Sequence, residues 1–160
     1  MVLALDESTL LSEELQLVVL RLGVQSYALD IADVREVIMV PEITAIPRQP
    51  HHVLGVLNLR GRVVPVVDLR LALGLPAVAT VSSSRVVVAA PEGRLVGLLA
   101  DEVSQVATVG RAALEPLDPT VVDQSDEYAR GIVRIDGEIV VWLDLAHLLA
   151  APAGRSAVAA

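Results

Sequence analysis

Three sets of side chains in this sequence could do chemistry: two aspartates in like surroundings, Asp68 and Asp144; three histidines, His51, His52 and His147; and an arginine at a turn, Arg60. Paired carboxylates serve general acid–base catalysis when their environments drive their proton affinities apart. Here each aspartate stands directly ahead of an apolar stretch, Leu69–Leu73 or Leu145–Leu149, that reads as one or two turns of helix. In that place a carboxylate accepts hydrogen bonds from the unpaired N–H groups of the first turn. No nucleophile or oxyanion-binding motif accompanies either aspartate, so capping accounts for both, and a small carboxylate-dependent hydrolase is the alternative it displaces. His51 and His52 are adjacent and would point to opposite sides of an extended segment, without the i, i+4 spacing of a zinc protease. His147 is far away in sequence, so packed or solvated imidazoles are expected rather than a metal centre. No GxSxG elbow, P-loop or GxGxxG fingerprint occurs, and no catalytic residue, metal or cofactor is expected. These residues suit a protein that binds rather than one that catalyses.

The elements that must position them come in two copies. GVLNLRGRVVPVVDLRLAL (Gly55–Leu73) and GIVRIDGEIVVWLDLAHLL (Gly131–Leu149) align at a constant offset of 76, which matches Gly55 with Gly131, Gly61 with Gly137 and Asp68 with Asp144. A weaker match at an offset of 69 relates Tyr27–Val37 to Val96–Val106, so the second copy carries seven extra residues between Val106 and Gly131. Short Val- and Ile-rich runs bounded by Gly, Pro, Asp or Asn read as strands near Leu15–Leu22, Ser26–Asp30, Glu36–Val40, Val56–Leu59 and Val63–Val67. A second set follows near Arg85–Ala90, Leu95–Leu99, Gln105–Val109, Ile132–Ile135 and Glu138–Leu143. Arg60-Gly61 and Asp136-Gly137 supply hairpin turns in which Gly takes positive φ cheaply. Five strands and a helical cap of about 70 residues are marginal alone. The expected fold is therefore mainly β: two small five-stranded barrels related by a pseudo-twofold, sharing one continuous apolar core, with short helical caps and a groove along their junction.

Composition narrows the partners. The chain has 160 residues, 54% of them apolar, with no Phe, two Tyr and one Trp, so Val, Leu and Ile fill the interior and favour strands. A formal charge of −8 repels phosphate backbones, which disfavours nucleic acid and anionic membrane. The absence of cysteine excludes a disulfide framework and thiolate chemistry, and suits a cytosolic protein. No run reaches the ~18 apolar residues that cross a bilayer, so direct membrane insertion is not expected. The acidic N-terminus, MVLALDESTLLSEELQ, does not read as a signal peptide.

Three segments together resemble the CheW family of bacterial chemotaxis coupling proteins: Ile31–Arg70 with its NLRG and PVVDLR motifs, Leu95–Val106 (LVGLLADEVSQV), and Asp126–Leu149. The resemblance spans about Leu15–Leu149 and implies two five-stranded SH3-like barrels. It further implies a non-catalytic adaptor joining the cytoplasmic tip of methyl-accepting chemoreceptors to a histidine kinase, whose regulatory domain has a homologous fold. Such an adaptor is cytoplasmic and recruited to membrane receptor arrays. The family's receptor groove lies between the barrels, and its counterparts by motif are Val34 and Glu36 in DVREV, Asn58 and Arg60 in NLRG, and Gly97 and Val103 in VGLLADEV. The residues that would contact the kinase are not assigned. Val34 and Val103 could equally be core and Gly97 a packing glycine, whereas ionised Glu36 and Arg60 are poor core residues and would pair if close. An adaptor of the same fold in a pathway governing pili, gliding or development is the alternative output. The expected organisation is a tail over 1–14, a first barrel over about 15–75, a second over about 81–150, with elements free to cross over, and a tail over 151–160. His51-His52 and the lack of Phe depart from the family's usual pattern.

Overall fold

The structure, a computed structural model, describes residues 14–116 and 128–150; both expected tails, apart from Glu14, and part of the long second connection lie outside them. Ten strands occur among the described residues: β1 (Glu14–Leu22), β2 (Gln25–Asp30), β3 (Val34–Met39), β4 (Val53–Leu59), β5 (Arg62–Asp68), β6 (Arg85–Ala89), β7 (Val96–Ala100), β8 (Glu102–Gly110), β9 (Ala129–Ile135) and β10 (Glu138–Leu143). Two short helices, α1 (Leu69–Ala72) and α2 (Leu145–Ala150), follow β5 and β10.

All ten expected strands are present, but four of them begin two or three residues earlier than the alternation of apolar residues suggests. β3, β4, β8 and β9 start at Val34, Val53, Glu102 and Ala129 rather than at Glu36, Val56, Gln105 and Ile132. In each case the pairing register skips one residue near the start: Arg35, Leu54, Ser104 and Arg130. A bulge places two residues opposite one and breaks the period of two on which the sequence reading relies. The bulges are themselves repeated, Arg35 matching Ser104 at the offset of 69 and Leu54 matching Arg130 at 76.

The strands form two five-stranded sheets, ordered β8-β1-β2-β10-β9 and β3-β6-β7-β5-β4. Position for position these are the same sheet, with β1 standing for β6, β2 for β7, β8 for β3, β9 for β4 and β10 for β5. Neither sheet is built from one chain half. Each repeat gives its first two strands to one sheet and its last three to the other, so the division near residues 75–81 separates repeats and not barrels. The parallel pairs β2–β10 and β5–β7 join strands of different repeats, as this exchange requires. Each sheet curls and closes through an extra bridge: Thr44 exchanges two backbone hydrogen bonds with Val56 (2.8 and 2.9 Å), and Glu115 does the same with Ile132 (both 2.8 Å).

Burial falls into three apolar clusters where a single continuous core was expected. Leu17, Val19, Ala28, Val133 and Val140 fill the barrel of β1, and Leu57, Val64, Val66, Val86 and Val88 fill the barrel of β3. The third lies between the barrels and draws on both, with Leu20, Leu29, Leu143 and Leu148 from one side and Leu69, Val87, Ala89 and Leu98 from the other. Strands such as β7, buried along its whole length, serve the barrel interior with alternate residues and the junction with the rest, which is why they read as unbroken apolar runs.

Candidate functional site

The turn joining β4 to β5 has two residues, Arg60 (φ 50°) and Gly61 (φ 87°), closed by the Leu59–Arg62 pair. Positive φ at both central positions is the geometry that matches strand twist in a tight hairpin, and it is uncommon for a residue with a side chain. Asn58 holds the turn: its Oδ1 accepts the Gly61 N–H at 2.8 Å. The turn presents Arg60 to Glu36 on β3, whose two carboxylate oxygens accept from Nη1 (3.3 Å) and Nη2 of the guanidinium. This fork draws the Glu36 carboxyl below its usual range and raises Arg60 further. The pair spans the seam where β3 approaches β4, within one barrel and not across the junction between barrels. Its groups stay accessible, with 70% of the Arg60 side chain exposed.

Val34 and Val103, equivalent in the two repeats, are half-buried and pack on the inter-barrel cluster. Their cross-strand partners, Ala89 and Leu20, belong to that cluster. The bulge at Arg35 sets Val34 toward the junction, opposite Ala89, while Glu36 pairs with Val88 of the barrel interior. Gly97 is placed differently from the other five residues. It is buried in β7, and a Cβ there would come within 2.9 Å of Val86 Cγ1 and 3.4 Å of Leu57 Cδ2, inside the barrel. The structure thus gathers Glu36, Asn58 and Arg60 at one tip, sets Val34 and Val103 on the junction, and leaves Gly97 behind them as a packing position. A separate cleft of about 870 Å³, lined by Pro50, His52, Val53, Val67, Leu95 and Leu149 among others, includes none of the six.

The two aspartates of the catalytic alternative are engaged at helix starts. Asp68 Oδ1 accepts the Arg70 N–H (3.0 Å) and Asp144 Oδ1 accepts the His147 N–H (3.1 Å), so both aspartates cap helices. Burial raises the Asp68 carboxyl, partly offset by the backbone N–H groups of Arg70 and Leu71. His51 and His52 meet edge to face at 5.9 Å between ring centroids, and His147 packs against Tyr128 at 5.3 Å. Burial lowers His52, as expected for an imidazole kept from water. Among the described residues no cluster of three or more metal-ligating side chains occurs, and no helix is long and apolar enough to cross a membrane.

The CheW-like domain model matches residues 16–153. The chain belongs to the CheW-like family. It is 35% identical to the chemotaxis protein CheW of Rhizobium meliloti over 81% of this chain and 84% of that one. Protein FrzA of Myxococcus xanthus is 31% identical over 81% of this chain and 79% of its own. The crystal structure of the scaffolding protein TtCheW from Thermoanaerobacter tengcongensis superposes with a TM-score of 0.77 at 32% identity, covering 84% of this chain and 91% of that one. The mainly β, two-barrel fold class is as expected.

Two contacts in this CheW-like chain escaped the sequence reading. Gln105 on β8 donates from Nε2 to Asp136 Oδ2 (3.2 Å) at the second tip, the positional counterpart of Glu36–Arg60. Adding the known offsets to Glu36 and Arg60 would have found it. Arg70 and Asp101 form a two-pronged pair; both lie in quoted motifs, but nothing in their spacing signals contact.

Proposed function

We propose that this chain is a non-catalytic adaptor of bacterial chemosensory signalling, coupling the cytoplasmic tip of methyl-accepting receptors to a histidine kinase at membrane arrays. Membership of a family whose relatives are named chemotaxis and scaffolding proteins supports the adaptor reading. The observation that carries the receptor site is the Glu36–Arg60 pair on its Asn58-locked turn, a fixed charged edge on the strand that also carries Val34, which packs with Val103 on the inter-barrel cluster. A helical hairpin docks through an apolar stripe with polar anchors at its rim. Gly97 contributes from behind by admitting Val86 and Leu57.

Arg60→Glu reverses the anchor at an exposed position, so the thermal melt should stay near wild type. Titration with a soluble receptor hairpin should show roughly 10- to 100-fold weaker binding, as for loss of a charge-assisted hydrogen bond. Asp136→Lys alters the equivalent turn and should leave receptor binding unchanged. Equal losses from both variants would sink the assignment.

The kinase's regulatory domain would meet the barrel ends. Val63 and Ile139, equivalent residues 73% and 48% exposed, give each barrel an outward aliphatic beside its tip. Apolar contact of that kind predicts kinase binding that changes little between low and moderate salt. A steep fall over that range would contradict it.

A further inference from the structure

One charged contact between the barrels takes no part in the receptor site described above. Asp101 stands between β7 and β8, where the chain leaves one barrel for the other. Its Oδ1 accepts from Arg70 Nε at 2.9 Å and its Oδ2 from Arg70 Nη2 at 2.5 Å. The same Oδ2 accepts the N–H of Gly23, in the β1–β2 turn of the other barrel, at 2.7 Å. The Asp101 N–H in turn donates to Arg21 O at 3.1 Å, and Arg70 Nη1 donates to Pro76 O at 3.2 Å. One carboxylate therefore collects donors from both barrels. The turn is shaped to it, since Gly23 has φ +66° and a Cβ there would lie 3.3 Å from Arg70 Nη2. The Arg70 side chain is 14% exposed against 70% for Arg60, so its guanidinium is far better shielded from water and salt, while the carboxylates differ little. The repeat makes the contact one-sided: the position equivalent to Arg70 is Ala146, and that equivalent to Asp101 is Ala32. Neither of these two alanines can form an ion pair, so the repeated architecture by itself does not demand this one.

We propose that Arg70 and Asp101 are positioning residues that fix the angle between the barrels, and with it the placement of Val103, two residues beyond Asp101, relative to Val34 and the Glu36–Arg60 tip. The consequence for binding rests on the receptor-groove reading; the control of the angle does not. A shielded, fully hydrogen-bonded pair suits this task because its geometry, more than its net energy, selects one arrangement. Lysine keeps the charge and the stem of Arg70 but loses the planar fork.

The chain has no cysteine, so one label can be placed on each barrel, through Thr108→Cys on β8 and Arg62→Cys on β5, both exposed. Pulsed electron–electron spin resonance should give one narrow distance distribution in the otherwise unchanged chain. Asp101→Asn, nearly isosteric, should broaden or shift it, and in the unlabelled chain should weaken receptor-hairpin binding about 5- to 10-fold, the lower range of coupling between sites. Arg70→Lys should do the same, and serves if Asp101→Asn fails to fold. Arg60→Glu should weaken binding while leaving the distances unchanged. Unchanged distances in both clamp variants would overturn the proposal, and so would broadened distances with undiminished binding. If the unaltered chain binds no receptor hairpin, the groove reading falls, and the distances still decide whether the contact sets the angle.

Discussion

The two hairpin tips occupy equivalent places on equivalent barrels and share a backbone. Arg60-Gly61 and Asp136-Gly137 have φ values of 50° and 87° against 52° and 78°. Each tip is met by the residue that follows a bulge, Glu36 after Arg35 and Gln105 after Ser104. What differs is the chemistry of the contact. One tip carries a two-pronged ion pair whose cation comes from the turn; the other carries a single amide-to-carboxylate hydrogen bond, with an anion in the turn. Architecture therefore explains the contact at both places but the charge at neither. The cationic tip also has an extra device, Asn58, where the other repeat has Arg134. A pseudo-symmetric fold supplies two identical mounts, and the sequence equips only one of them with a fixed guanidinium.

The comparison presumes that the two repeats are interlocked, and cutting the chain tests that with the largest effect. Met1–Thr80 alone would hold β1 and β2 without the other three strands of their sheet, and β3, β4 and β5 without β6 and β7. Each half expressed separately should lack cooperative unfolding by calorimetry, whereas the two halves expressed together should recover it. Separate halves that each melt cooperatively at high temperature would break the picture of exchanged strands.

A smaller but still severe effect is expected where the closing bridges cross β4 and β9. A Cβ on Gly55 would sit 2.0 Å from Thr44 O, and one on Gly131 would sit 2.5 Å from Glu115 O. Gly55 also has φ +147°, a conformation that side chains resist, while Gly131 does not. Both Gly→Ala changes should destabilise by overpacking, Gly131→Ala by about 1–3 kcal/mol and Gly55→Ala by more, read from denaturant midpoints. Equal losses would mean that strain adds nothing to the clash at Gly55.

These residues also mark the limit of what the sequence discloses. The 76-residue match found both glycines, both tips and both capping aspartates, because each meets a local demand: a close approach, a turn, a helix start. It could not reveal the exchange of strands, since the same repeats in either arrangement have the same spacing. The bulges were hidden for a related reason. Apolar alternation resumes only after the extra residue, so Glu36 and Gln105 looked like strand starts when they are the residues set against the tips. At the candidate site the family motif named Glu36, Asn58 and Arg60, and the structure brings them together. The same motif named Gly97, whose absent side chain makes room inside the barrel. Arg70 and Asp101 lie 31 residues apart in different elements, and only the folded topology joins them.

The finest test of the comparison concerns the lock. Asn58 Oδ1 accepts the Gly61 N–H at 2.8 Å, whereas Arg134, its counterpart, has its Nε 3.9 Å from Glu115 Oε2. Asn58→Ala removes one hydrogen bond from an exposed turn, so stability should fall by only about 0.5–1 kcal/mol. Hydrogen exchange at the Gly61 amide should quicken, because its acceptor is gone. If the lock exists to hold Arg60 ready, receptor binding should weaken a few-fold, since the turn must then be ordered on binding. Arg134→Ala should alter neither receptor binding nor exchange at Gly137. Faster exchange at Gly61 with unchanged receptor affinity would show that Asn58 serves the hairpin alone, and the difference between the tips would then reduce to the charge of Arg60.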